Sequence, residues 1–253
     1  MKYRFLAILS LALAGCTKPE PPPAPKPAAP PAYFKVDPAT VGTLSGIIQF
    51  TGKRPAASPI DMSQDQDCAR MQAAQHKVDE SLVVNRDGTL ANVFVYLKTG
   101  LEGKVFEPAA EARVIDQKGC WFGPRMMGMR TAQVLRVTNS DPVTHNIHPM
   151  AEVNREWNQS QGPGDEAISR KFARAELIIP VKCNIHKWMH ASIAVLAHPY
   201  FAVSGPDGSF AIANVPPGSY TVAAWQEKLG WQEQTVKISP TEKIKLSFTY
   251  KGE

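Results

Sequence analysis

The chain has few cysteines, no haem-attachment motif, no basic tract and no apolar run long enough to cross a bilayer, and each absence removes a class of function. Only four of its 253 residues are cysteine. None stands in a Cys-x-x-Cys-His pattern, which excludes a c-type cytochrome. The formal net charge is +5, and it falls to +3 once Lys2 and Arg4 leave with an N-terminal leader. That charge is small and scattered, without an interleaved aromatic stripe, so nucleic acid is not expected as a partner. The apolar run from Phe5 to Ala14 is too short to span a membrane as a helix. Helix is scarce as well: only Met62–His76 reads as a short helical segment, and an α-rich fold is excluded.

What is present begins with that leader. A basic start followed by Phe5–Ala14 is the pattern of a secretory signal. It ends Leu13-Ala14-Gly15-Cys16, which resembles the lipobox of bacterial lipoproteins. The resemblance implies cleavage after residue 15 and acylation of Cys16. Thr17, where an Asp would signal retention, implies sorting to the outer membrane, facing the periplasm. Pro19–Ala32 then contains eight of the chain's 22 prolines. Such a stretch buries nothing and favours extended polyproline II, at about 3.1 Å per residue, so it reads as a tether.

The remaining residues are strand-forming. Thr43–Phe50, Asn92–Leu97, Val134–Thr138, Glu176–Val181 and Ser192–Leu196 are β-rich runs between Gly, Pro, Asn and Asp clusters. Ser209–Ile212, Tyr220–Trp225, Gln234–Ile238 and Lys243–Tyr250 alternate apolar and polar residues. Pro206-Asp207-Gly208 and Pro216-Pro217-Gly218 supply turns among them. The expected class is all-β, built from sandwiches. The segment Gly205–Ile212 followed by Asn214–Val222 resembles the carboxypeptidase regulatory-like (transthyretin-type) sandwich, which also occurs in rhamnogalacturonan lyases. It carries no nucleophile, carboxylate pair or metal cluster, so a scaffold or docking role is expected of it. Val41–Phe50 has the same strand character and is a candidate to pack with it. The expected organisation is therefore leader 1–15, lipidated Cys16 and tether 16–40, a first β domain 41–196 and a second 197–253.

With Cys16 assigned to lipid, three thiols remain for an oxidising compartment, an odd number. The simplest partition pairs Cys68 with Cys120 and leaves Cys183 free; other pairings, or an intermolecular bridge, stay open. A free exported cysteine needs an explanation, and metal ligation is one. Around it the chain reads Cys183-Asn184-Ile185-His186-Lys187-Trp188-Met189, with strands on both sides. Upstream, after another strand, stands Asn139-Ser140-Asp141-Pro142-Val143-Thr144-His145-Asn146-Ile147-His148. Two imidazoles and a thiolate in a trigonal plane, with a weak axial thioether, make a blue-copper site.

Residues 130–197 resemble the cupredoxins, nearest the amicyanin and plastocyanin branch. The Cys-x-x-His-x-x-Met spacing of Cys183, His186 and Met189 matches amicyanin's short loop, and His145-Asn146-Ile147 matches the first-ligand turn. The resemblance implies a Greek-key sandwich holding one type 1 copper, with equatorial His145, Cys183 and His186 and axial Met189. It also implies that Asn146 ties the two loops near the sulfur. His148 is the alternative to His145, and His190 could offer a nitrogen in place of the Met189 thioether. Met126, Met127 and Met129 form a second cluster of soft ligands, readable either as a Cu(I) docking patch or as sandwich core.

The function expected from these residues is electron transfer by a membrane-tethered periplasmic copper protein that is not an enzyme. Its partners would be a redox donor and acceptor, meeting copper at an exposed His186 edge with Trp188 and Met189 as an apolar rim. Two alternatives stand beside it. One is copper storage or delivery by the same ligands. The other is a non-redox sandwich binding carbohydrate or an envelope partner through Trp225 and Trp231.

Overall fold

The computed structural model describes residues 32–252. The leader 1–15, Cys16 and all of the Pro-rich tether before Ala32 lie outside them. No helix among the described residues is long and apolar enough to cross a membrane.

The described residues are all-β apart from one short helix. Their first half contains β1 (Gly42–Thr51), α1 (Gln66–Gln72), β2 (Phe94–Leu97), β3 (Arg113–Gln117), β4 (Phe122–Gly123), β5 (Met126–Arg130), β6 (Val134–Asn139) and β7 (His145–Pro149). Next come β8 (Gln159–Gln161), β9 (Ile168–Lys171), β10 (Glu176–Lys182) and β11 (His190–Leu196). The last part contributes β12 (Phe201–Val203), β13 (Ser209–Val215), β14 (Gly218–Gln226), β15 (Gly230–Ile238) and β16 (Lys243–Lys251).

Four sheets form, with strand orders β4-β3-β6-β9, β5-β11-β10-β7-β8, β12-β2-β14-β15 and β13-β1-β16. Side chains alternate across a strand, and the two inner sheets use both faces. On β11, Ile193 and Val195 enter a core with Ile115, Leu135, Val137 and Phe172. Ala194 and Leu196, on its other face, meet Phe94, Tyr96, Met126 and Ala223. On β2, Val95 and Leu97 turn away from that junction into a third core with Leu44, Ile48, Tyr220 and Phe248. The sheets are therefore stacked in four layers with three apolar interfaces. Strands buried on both faces read as continuous apolar runs rather than alternations, as Phe94-Val95-Tyr96-Leu97 does.

This stacking does not divide at residue 197. β1 pairs with β13 and with β16, and β2 pairs with β12 and β14. Both strands come from the stretch assigned in sequence to the first domain. The reason is hydrophobic: the thin C-terminal sandwich has too few strands of its own to cover its core. Gly128, at the junction, makes the close approach possible, because a Cβ there would meet the Phe201 ring at 2.4 Å.

The helix is shorter than Met62–His76. Ser63 N–H donates to Asp61 at 2.9 Å and holds a turn before it. Asp65 then caps α1 by accepting from Cys68 N–H. Met126, Met127 and Met129 are all buried. Their thioethers fill core, so no copper-docking patch is presented there.

Candidate metal centre

β10 and β11 are an antiparallel hairpin in which Lys182 faces His190. Residues 183–189 are its loop. The loop closes on itself: Cys183 N–H donates to the Met189 carbonyl at 3.2 Å, and Met189 N–H to the His186 carbonyl at 3.0 Å. β7 runs antiparallel on the other side of β10, with Lys182 opposite His148. That pairing brings the first residue of β7, His145, to the end of the sheet where the hairpin loop lies. Asn146 fastens the two, since its Oδ1 accepts from Asn184 N–H at 3.0 Å.

The consequence is a buried cluster of His145, Cys183 and His186, whose ligating atoms all lie within 4.8 Å of one another. His145 Nδ1 is 3.0 Å from His186 Nδ1, and the Cys183 sulfur is 3.9 Å from His186 Nδ1. Exposure is 0% for His145, 2% for Cys183, 2% for His186 and 0% for Met189. Cys183 is a free thiol, whereas Cys68 and Cys120 form a disulfide. Its sulfur accepts from His186 N–H at 3.3 Å.

Hydrogen bonding makes the Cys183 thiol easier to ionise. Burial pushes the Cys183 thiol up, but hydrogen bonds from His145 and from the backbone of His186, Asn146 and Ile185 outweigh it and hold the group below its ordinary value. Burial likewise opposes charge on His145, yet Asp141 and Cys183 raise its pKa overall. Two imidazole nitrogens facing each other beside a sulfur would need a shared proton to avoid lone-pair repulsion. A cation satisfies the same donors. An ion at the distances typical of zinc, about 2.0–2.1 Å from nitrogen and about 2.3 Å from sulfur, fits between donors at these separations. A thiolate with two imidazoles is donor chemistry that copper accepts. The residues present therefore fit the metal.

Two histidines are not brought into the cluster. His148 is three residues from His145 on the same strand and so points to the other face, where it bonds Asn184 and Glu156. His190 is exposed at the start of β11. Trp225 and Trp231 face each other across β14 and β15 with ring centroids 6.3 Å apart, on a sheet remote in sequence from this loop.

One expectation fails. The His186 edge is not exposed and Met189 is not a rim residue. α1 lies over the loop, and Asp65 Oδ2 sits 3.1 Å from His186 Nε2. The Trp188 ring is 5.2 Å from the His186 ring and donates its Nε1–H to the Cys120 carbonyl. The exposed apolar residue of the loop is Ile185, at 51%.

Sequence reasoning also missed two carboxylates. Asp141 bonds His145 Nε2 at 2.7 Å, and Asp65 bonds His186. Asp141 stood in a cluster that read as turn punctuation. Asp65 lay inside the stretch read as helix from Met62 to His76, whereas the structure makes it the N-cap of α1. Nothing in the residue pattern alone linked either to a histidine.

Comparison with known proteins gives partial likenesses. The family described as polysaccharide lyase family 4, domain II, matches residues 186–246. No curated protein matches significantly. Among solved structures, the Cu-containing nitrite reductase NirK from Thermus scotoductus SA-01 is similar over 38% of this chain and 24% of its own, at 17% identity and a TM-score of 0.31. This chain thus spans about a quarter of that enzyme's length. The Cu(I) form of an amicyanin mutant is similar over 35% of this chain and 86% of its own, at 21% identity and a TM-score of 0.30. A purple cupredoxin from Nitrosopumilus maritimus is similar over 32% of this chain and 97% of its own, at 18% identity and a TM-score of 0.28.

Proposed function

We propose that this chain is a blue-copper electron carrier, held by a lipidated Cys16 and a Pro-rich tether at the periplasmic face of a bacterial outer membrane. The observation that carries the reading is the buried His145–Cys183–His186 cluster, with Met189 on the same closed loop. Bound copper would supply a single reversible electron by cycling between Cu(II) and Cu(I). The residues do the rest. His145, Cys183 and His186 would hold it, with the Met189 thioether as a fourth, weaker donor. Strand pairing on both sides of the loop fixes their spacing, so little has to move when charge changes. Asn146 holds the two loops together, and the His186 N–H spreads charge off the sulfur.

A carrier, rather than an enzyme, is proposed: buried ligating side chains suit transfer of an electron through the protein. Enclosure also favours retention of the metal over its delivery. The half-buried Trp188, beside the His186 ring, extends from the cluster towards the surface, and Ile185 offers a small apolar contact for a redox partner. The C-terminal sheets serve as scaffold. The test is the visible spectrum of the purified full chain loaded with Cu(II). An intense band from sulfur-to-copper charge transfer is expected, and Cys183→Ser is expected to abolish it while leaving the fold intact. A copper-loaded wild type without that band would overturn the reading.

A further inference from the structure

We infer that the Cys68–Cys120 disulfide is the outer clamp of the metal centre, setting both histidine rings at once through Asp65 and Asp141; this rests on the copper reading above. The connections are symmetrical. From one half of the bridge, Cys68 N–H donates to Asp65 Oδ1 at 2.9 Å, and Asp65 Oδ2 holds His186 Nε2. From the other half, Cys120 N–H donates to Asp141 Oδ2 at 2.7 Å, and that same oxygen holds His145 Nε2. Gly119 N–H adds a bond to Asp141 Oδ1 at 2.6 Å. The bridge sulfurs themselves lie within the two groups: Cys68 with Asp65 and His186, Cys120 with Asp141 and His145, each group's polar atoms within 4.8 Å of one another.

A carboxylate on the far nitrogen of a ligating imidazole fixes ring orientation and raises ligand basicity. Here the two carboxylates are not independent. Each is oriented by the backbone of one cysteine, and the cysteines are joined covalently across 52 residues of sequence. The clamp is also the cover. α1 has seven residues, too few to persist as a helix alone, and its attachments to the rest of the fold include the bridge, the Asp65–His186 bond and the bond from Gln72 Nε2 to the Gly119 carbonyl. With the bridge cut, α1 loses its covalent hold, Asp65 is no longer held against His186, and the thiol of Cys183 becomes reachable. Asp65 and Asp141 are thus positioning residues: they touch ligands, not metal.

The experiment uses the full chain as wild type, Asp65→Ala, Asp65→Asn and Cys68→Ser/Cys120→Ser. Two quantities are read: the rate of copper loss to an excess of chelator from the loaded protein, and the rate of Cys183 labelling by a maleimide in the metal-free protein, located by peptide mass spectrometry. Loss of such an outer partner weakens metal binding by about 10–100-fold, and a rise of that order in copper loss is expected for Asp65→Ala and for the double serine variant. Labelling of Cys183 is expected to accelerate in both. Asp65→Asn, which keeps an acceptor for His186, is expected to fall between Asp65→Ala and wild type in both rates. A bridge that merely stabilised the fold would lower the unfolding midpoint while leaving both rates unchanged in protein that is still folded, and that result would overturn the clamp. If the double serine variant does not fold, Asp65→Ala decides alone, by the same criterion. Absence of the charge-transfer band in wild type would instead bring down the copper reading, with Cys183 labelling still reporting on whether the cover is held by the bridge.

Discussion

Replacing Asp141 by Asn should cost more than any other single-atom change near the centre. The side chain is 3% exposed, so water cannot take over its bonds. Its two oxygens accept from Gly119 N–H, Cys120 N–H and His145 Nε2 at 2.6, 2.7 and 2.7 Å. An amide can turn its oxygen towards Cys120 and His145, but its NH2 then faces the Gly119 N–H, donor against donor. That forfeits one charge-assisted bond worth about 1.5–3 kcal/mol and weakens the other two to neutral strength, about 1 kcal/mol each. The loss adds up to roughly 3–5 kcal/mol, a large share of the typical stability of about 5–15 kcal/mol. In urea, where slopes run at about 1–3 kcal/mol per molar and a chain of this length lies at the upper end, the unfolding midpoint of the metal-free protein should fall by roughly 1–2 M. Folding holds this carboxyl below its ordinary 3.8 against the opposing effect of burial, through His145 and the Cys120 and Gly119 amides. The wild-type advantage is therefore complete above that value and shrinks as pH falls through the folded pKa. Asp116, whose partners Thr138 and Ser140 are partly or fully exposed to water, is the control, and its Asn variant should change little. An Asp141→Asn midpoint indistinguishable from wild type would refute the assignment of Asp141 as the buried hub of these bonds.

Two further outcomes can be checked directly. Burial and Arg130 push His198 down from 6.5 to about 4, and its Nδ1 accepts from Tyr200 N–H at 3.2 Å. The unfolded chain thus binds a proton that the folded chain refuses, and stability is lost as pH falls from 6.5 towards 4; between pH 7 and 4.5 wild type should lose roughly 2 kcal/mol more than His198→Asn, measured by urea unfolding at the two pH values. At the junction of the inner sheets, Gly128→Ala drives a methyl into the Phe201 and Phe94 rings; a loss of about 1–3 kcal/mol is expected from such overpacking, seen as a lower thermal midpoint.

Local spacing carried the legible part of the centre. Cys183, His186 and Met189 lie on one hairpin loop, so seven consecutive residues were enough to propose them. The choice between His145 and His148 was not legible from spacing and rested on the resemblance; the structure puts both on one strand, where an odd separation sends them to opposite faces, and His145 is the one beside Cys183. What lay hidden depends on contacts across the chain. Asp65 meets His186 from 121 residues away, through a helix whose position is set by a disulfide. No periodicity reports such a meeting, and a loop ligand was accordingly expected at the surface. The fold shows the same division. Long alternating strands such as β15 and β16 were readable, whereas β3, β5, β7 and β9 were not. These are short, and β5 and β7 are buried on both faces, so they lack the polar half of the pattern.

The pairing of β1 with β16 bears on how the molecule comes into being. Thr43 lies beside Lys243 and Thr51 beside Lys251, in parallel register, so the first strand of the fold is completed by the last. Contacts so distant in sequence must wait for nearly the whole chain and make folding slow. During synthesis β1 exposes the edge that β16 will occupy, and with it the apolar face carrying Leu44 and Ile48. A nascent chain that stalls before residue 243 is therefore left with an open strand edge, the kind of surface on which aggregation starts.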